Sequence, residues 1–211
     1  MIEIQDFQQL IAHMAPKEQS FTVKYDNWKA TPQDILIKSL FDIDNYIEIN
    51  RYDIFRESEL DKKVILTLLW GYPTKGRGNN MNRLLEGNNF NDLLGVLSGY
   101  MNASPTIEQL KSDTSNIKGL GIATMTKFIY FLELEIEGYR SLILDQRVMD
   151  YYNNKRFSAL AVDGVITNQN GWKYYKEYII QMRGLARQFQ TTEDQLEAFI
   201  FTFGNNLKSI I

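Results

Sequence analysis

Apolar side chains recur at helical spacing through most of the chain. Ile4, Phe7, Leu10, Ile11 and Met14 form one stripe, and Ile35, Ile37, Leu40 and Phe41 a second. LDKKVILTLLW predicts a helix ending at Trp70, and the loop GYPTKGRGNN follows it. MNRLLEG and NDLLGVLSGYM predict two further helices, and Pro105 opens another over TIEQLK. From Gly171, WKYYKEYIIQMRGLARQF predicts a long amphipathic helix. TTEDQLEAFIFTFGNN closes the pattern, with Thr192 as N-cap and Gly204 as C-cap. YIEIN alternates and fits either a short strand or a turn. With strand signals this few, the expected fold is all-α.

The stretch IKGLGIATMTKFIYFL, residues 117–132, stands apart. Met125, Phe128, Ile129 and Leu132 fall on one helical face, yet Tyr130 and Phe131 make the other side apolar as well. A helix apolar all round belongs in an interior. Lys127 is its single charge. Either its stem is buried and its ammonium snorkels to water, or it points into a cleft as a nucleophile. Gly119 and Gly121 bracket the turn before it. Glycines allow positive φ and close backbone approach, and a helix starting just after them offers free N–H groups to a phosphate. Further on, the apolar run LIL ends at Asp145, which opens DQRVMDYYNN. Asp145 fits an ordinary N-cap and equally a carboxylate at a cleft mouth, and the two roles are compatible.

Composition narrows the chemistry. The 211 residues suit one or two small domains, and 44% are hydrophobic, enough for a core. The chain has no cysteine, which excludes disulfides, thiolate zinc and cysteine-bound iron–sulfur clusters. With His13 as the only histidine, neither a Ser-His-Asp triad nor a histidine-rich metal site is expected. MIEIQDFQQL does not resemble a signal peptide and no apolar run is long enough to span a membrane, so a soluble, cytoplasmic protein is expected. The formal charge of −3 argues mildly against nucleic acid, although a basic cleft can coexist with an acidic remainder. Asp42, Asp44 and Glu48 are a weak candidate for a hard cation, against a plain solvated turn. There is no Walker loop or dinucleotide fingerprint.

IKGLG…TKFIYFL followed by LILDQRV resembles the helix-hairpin-helix DNA glycosylase superfamily, and within it the bacterial 8-oxoguanine-DNA-glycosylase-like branch. The likeness covers roughly residues 55–205. It implies one glycosylase-like helical domain over 1–211, with lobes near 1–54 plus 140–211 and near 55–139. A DNA-facing groove would lie between them, with the hairpin near 106–132. It implies a monomer acting on double-stranded DNA, associated with the nucleoid if the source is bacterial. No metal cofactor is implied, the iron–sulfur cluster of some relatives is absent, and a monovalent cation would sit on the hairpin carbonyls.

By the same resemblance Asp145 is the catalytic aspartate, Lys127 the candidate nucleophile, and Gly119 and Gly121 the DNA-binding hairpin glycines. Lys75, Arg77 and Arg83 would hold phosphates or the orphaned base, and Asn79 and Asn80 would fill the gap left in the duplex. Trp70, Tyr72 and Trp172 would stack on the extruded base, which must leave the helix to react. Each also has a bland reading as loop, turn or core.

One departure stands out. In the lysine-bearing members the catalytic lysine comes two residues after the second hairpin glycine, and here that residue is Ala123. Lys127 lies one helical turn later, eighteen residues before Asp145, a spacing close to theirs. The resemblance thus leaves open a bifunctional glycosylase/AP lyase acting through Lys127, a monofunctional enzyme using water and Asp145, and a non-catalytic DNA-binding protein. Charge keeps a fourth open, an all-α protein–protein adaptor.

Overall fold

A computed structural model of the chain describes residues 3–41, 45–76, 78–154, 157, 159–204 and 206. Asp42, Asp44 and Arg77 lie outside these. The fold is mostly helical, as the pattern predicts: α1 (Gln8–Ala12), α2 (Asp34–Lys38), α3 (Arg51–Arg56), α4 (Leu60–Gly71), α5 (Asn80–Leu85), α6 (Gly87–Asn102), α7 (Ile107–Asn116), α8 (Ile122–Phe131), α9 (Gln146–Asn153), α10 (Gly171–Phe189) and α11 (Glu193–Phe203). Two small antiparallel pairs accompany them, β1 (Ser20–Lys24) with β2 (Tyr46–Asn50) and β3 (Glu135–Ile136) with β4 (Tyr139–Arg140).

The undecided YIEIN is therefore a strand, and its partner SFTVK went unseen in the sequence. Val23 and Ile49 point inward while Thr22 and Glu48 stay exposed, the alternation of a half-buried ladder. The first apolar stripe is also less regular than expected: a 3-10 turn, Ile4–Phe7, precedes the short α1. His13 is exposed at the end of α1. Thr192 caps α11 through the Gln195 amide as predicted. Gly204 is the C-cap of α11 as predicted, with right-handed backbone angles, and it serves close packing, since a Cβ there would strike the Ile200 carbonyl and the Tyr151 ring. A left-handed cap falls on Gln190 after α10.

α4 and α8 pack together at the centre. Every α8 residue except Ala123 is buried, as its all-round apolarity requires. Phe131 meets Trp70 and Phe55 edge-on or tilted, with ring centroids 5.4 and 5.2 Å apart. Beneath this cluster lies Arg51, fully buried. Its guanidinium donates to Glu197 at 2.7 Å, to the Tyr130 hydroxyl at 3.0 Å and twice to Gln19 Oε1, at 2.9 and 2.6 Å. The planar group also stacks on Trp70 and Tyr130, 5.1 and 5.2 Å from the ring centroids. One side chain thus ties the N-terminal segment, α3, α4, α8 and α11 into a unit. Burial works against the Arg51 charge, but Glu197 and Tyr130 outweigh it and raise its pKa. Burial likewise pushes the Glu197 carboxyl up, against the pull of Arg51.

Candidate active site

The turn between α7 and α8 shapes one rim of a cleft. Gly119 holds φ +86°, and a Cβ there would strike the Asn80 carbonyl and the Leu84 nitrogen of α5. Only glycine lets the turn dock on α5 this closely. Gly121 has a different reason. It is the N-cap of α8 with extended backbone, and a Cβ would meet nothing within 4 Å. Its bareness keeps the cleft open where the α8 amides begin.

The opposite rim is Asp145, delivered by an unusual segment. After α8 the chain reverses through Glu137 and Gly138, both at positive φ, and returns through residues 141–144, which belong to neither helix nor strand. Leu142, Ile143 and Leu144 are buried without a neighbouring strand, so side chains satisfy their backbone groups. The Tyr175 hydroxyl accepts from the Leu142 N–H and donates to its carbonyl, at 3.1 and 2.8 Å. Tyr178 donates to the Ile143 carbonyl at 2.9 Å, and the Leu144 N–H donates to Thr126 at 3.1 Å. The run ends with Asp145 as N-cap of α9. Its Oδ1 accepts from the Arg147 and Val148 amides at 3.0 and 3.2 Å.

That leaves Oδ2 free to face Lys127. The ammonium lies 3.7 Å from it, with the lysine side chain 4% exposed and the carboxylate 14%. Lys127 also donates to the Ala123 carbonyl at 3.2 Å and lies 5.4 Å from the Tyr72 ring centroid. The snorkelling alternative does not describe it: the amine is held inside, against a carboxylate. The cleft before the pair has a volume of about 510 Å³, with Tyr72, Lys75, Asn80, Gly119, Gly121 and Arg147 on its walls. Behind it lies a smaller cavity of about 190 Å³, lined by Phe21, Trp70, Pro73 and Phe201. Gly71, Lys127, Asp145 and Arg147 border both, so the pair sits at the neck between them.

The remaining candidates divide. Tyr72 is on the cleft wall, its hydroxyl 2.7 Å from Thr124 Oγ1. Trp70 is a buried wall of the small cavity, its indole N–H donating to the Gln19 carbonyl at 3.1 Å. Trp172 is drawn away from the cleft: it lines neither cavity and packs edge-on against Tyr175 at 5.2 Å. Lys75, at φ 67°, reaches the cleft, and Arg83 is exposed on α5 close to Gly119. Asn79 is turned back to accept from Asn82 at 2.7 Å, while Asn80 opens α5 on the cleft wall.

The sequence reading missed Phe21, Phe201, Arg147 and Lys118. Phe21 lies on the unforeseen strand. Phe201 sits half-buried on α11, and the Arg147 guanidinium lies 4.6 Å from its ring centroid. Lys118 is exposed in the turn between α7 and α8, and a basic residue beside the two glycines was its available signal. Among the described residues, no cluster of three His, Cys, Asp or Glu side chains is placed to hold a metal ion. No helix among them is long and apolar enough to cross a membrane.

An amine thus faces a carboxylate, bordered by an aromatic cavity and a glycine turn. A family model described as "Putative 8-oxoguanine DNA glycosylase OGG-like protein" matches residues 14–201. The chain belongs to this OGG-like family. No curated protein and no solved structure matches it. Membership in the OGG-like family makes DNA the expected substrate and base excision the expected class of reaction.

Proposed function

We propose that this OGG-like protein is a bifunctional DNA glycosylase/AP lyase that removes an oxidised purine from double-stranded DNA through Lys127. The observation that carries the reading is the 3.7 Å approach of a buried lysine to a helix-capping aspartate, at the neck between two cavities. The larger cleft takes the deoxyribose and its phosphates, beside Gly121 and the N-terminus of α8. The extruded base passes the neck and lies among Phe21, Trp70, Pro73 and Phe201.

Lys127, as the neutral amine, attacks C1′. The glycosidic bond breaks, and the base leaves with the bonding pair and takes a proton. Asp145 is within reach of the attacking nitrogen and accepts the proton it sheds. Asp145 returns this proton to O4′ as the C1′–O4′ bond breaks, which leaves a protonated imine between Nζ and C1′, and loss of a C2′ proton then expels the 3′ phosphate. The second oxygen of Asp145 stays on the α9 amides throughout, which fixes the carboxylate while its partner moves.

The test is borohydride trapping during turnover on duplexes that each carry one lesion. Reduction of the imine links protein to DNA, and the Lys127→Ala variant loses both the adduct and the strand nick. Base release by a wild-type protein that is never trapped would make the enzyme monofunctional, with Lys127 a structural partner of Asp145. No base release from any lesion duplex would leave a DNA-binding protein.

A further inference from the structure

Lys127 stands one helical turn beyond the position at which the family resemblance expects a lysine, yet it reaches the aspartate. Its stem runs along the end of α4. A Cβ placed on Gly71 would lie 2.9 Å from Lys127 Cδ and 3.0 Å from Cε. Both separations are far inside carbon–carbon contact. Gly71 carries no positive φ, so the backbone would accept any residue there. What the glycine supplies is room for the lysine stem, not a backbone conformation. The next residue closes the channel from the other side: the Tyr72 ring lies 5.4 Å from the ammonium and is pinned by its hydroxyl to Thr124 at 2.7 Å. Ala123, at the expected lysine position, contributes a carbonyl that accepts from Nζ at 3.2 Å.

We infer that Gly71 is a positioning residue, the missing side chain that lets a lysine one turn late lie against α4 and point at Asp145. The inference rests on the proposed role of Lys127 only for its catalytic consequence; the steric claim stands apart. The atoms that a Cβ would displace are the middle of a flexible side chain, not backbone. A methyl at 71 therefore moves the amine and leaves the fold.

Two experiments test this separately. The first is a stability cycle that needs no activity. In a Lys127→Ala background, Gly71→Ala raises Tm by roughly 1–4 °C, because alanine is the better helix residue and nothing opposes it. In the wild-type background that gain is cancelled or reversed. Equal gains in both backgrounds would show that the lysine stem does not need the space, and would overturn the inference even if the enzyme is active. The second is single-turnover trapping on the lesion duplex that the wild type processes best. Gly71→Ala lowers the trapping rate at least tenfold, while duplex Kd changes by less than about twofold. Trapping at the wild-type rate would refute the positioning role. A wild type that is never trapped would refute the nucleophile, and with it any catalytic consequence of Gly71, leaving the stability cycle to decide the steric part.

Discussion

Replacing Arg51 with methionine removes the guanidinium and keeps most of the stem. Four donated hydrogen bonds and two ring stacks disappear, but the larger effect is on what remains. Glu197 is fully buried, and one of its oxygens already lacks a partner. Without Arg51 it becomes an uncompensated buried charge, which costs about 3–5 kcal/mol. For a chain of this size that lowers Tm by roughly 6–20 °C. The defect depends on pH, and the sign follows from the glutamate. Burial already raises its folded pKa above the ordinary 4.5, and loss of Arg51 raises it further. Stability from a group raised on folding is present below its unfolded pKa and lost as pH rises through the folded one. Arg51→Met should therefore be closest to wild type near pH 4, where only the lost hydrogen bonds and ring contacts count, and fall progressively further behind above it. Adding Glu197→Leu removes the stranded charge, so the double variant should recover most of the loss and its pH dependence should flatten. Thermal unfolding followed by circular dichroism across pH 4–8 on the four members of the cycle measures this. Strictly additive effects, or a single-variant penalty independent of pH, would refute the account of Arg51 as the charge that makes Glu197 tolerable.

Asp145→Asn keeps an oxygen for the Arg147 and Val148 amides, so stability should change by less than about 1 kcal/mol while single-turnover base release falls at least a hundredfold. An active Asn variant would remove Asp145 from the chemistry. Changing Lys75, Arg83 and Lys118 together to glutamine should reduce the salt dependence of duplex binding by about 0.9 per lost phosphate contact, up to about 2.7 in log–log slope. An unaltered slope would put the DNA on another face. Gly119→Ala should lower Tm by several degrees, because it meets both a positive φ and the α5 backbone. Gly121→Ala should leave Tm unchanged and weaken only DNA binding. Equal effects on Tm would show that the two glycines are not divided as described.

Most helices were legible because their periodicity is strong and their caps are local, although the short α3 was not foreseen; the start of α11 was placed from Thr192 alone. Asp145 was legible as an N-cap for the same reason, and the hairpin glycines as a turn. Other features depend on residues far apart in sequence. β1 carries five residues and a weak alternation, and becomes a strand only because β2 lies beside it. The smaller cavity joins Phe21 to Phe201, and no spacing rule connects them. Trp172 shows the reverse limit: a tryptophan near the start of a long helix suits a binding wall or a core equally well, and packing against Tyr175 decides for the core.

The run 141–144 has a consequence for biosynthesis. Its backbone is held by hydroxyls of Tyr175 and Tyr178 in α10, thirty-three to thirty-five residues downstream. A ribosome-bound chain that has emerged only through α9 already contains the lysine and the aspartate, but not the frame that sets the gap between them. The Lys127–Asp145 pair is thus set late, after the helix that supports it has been made.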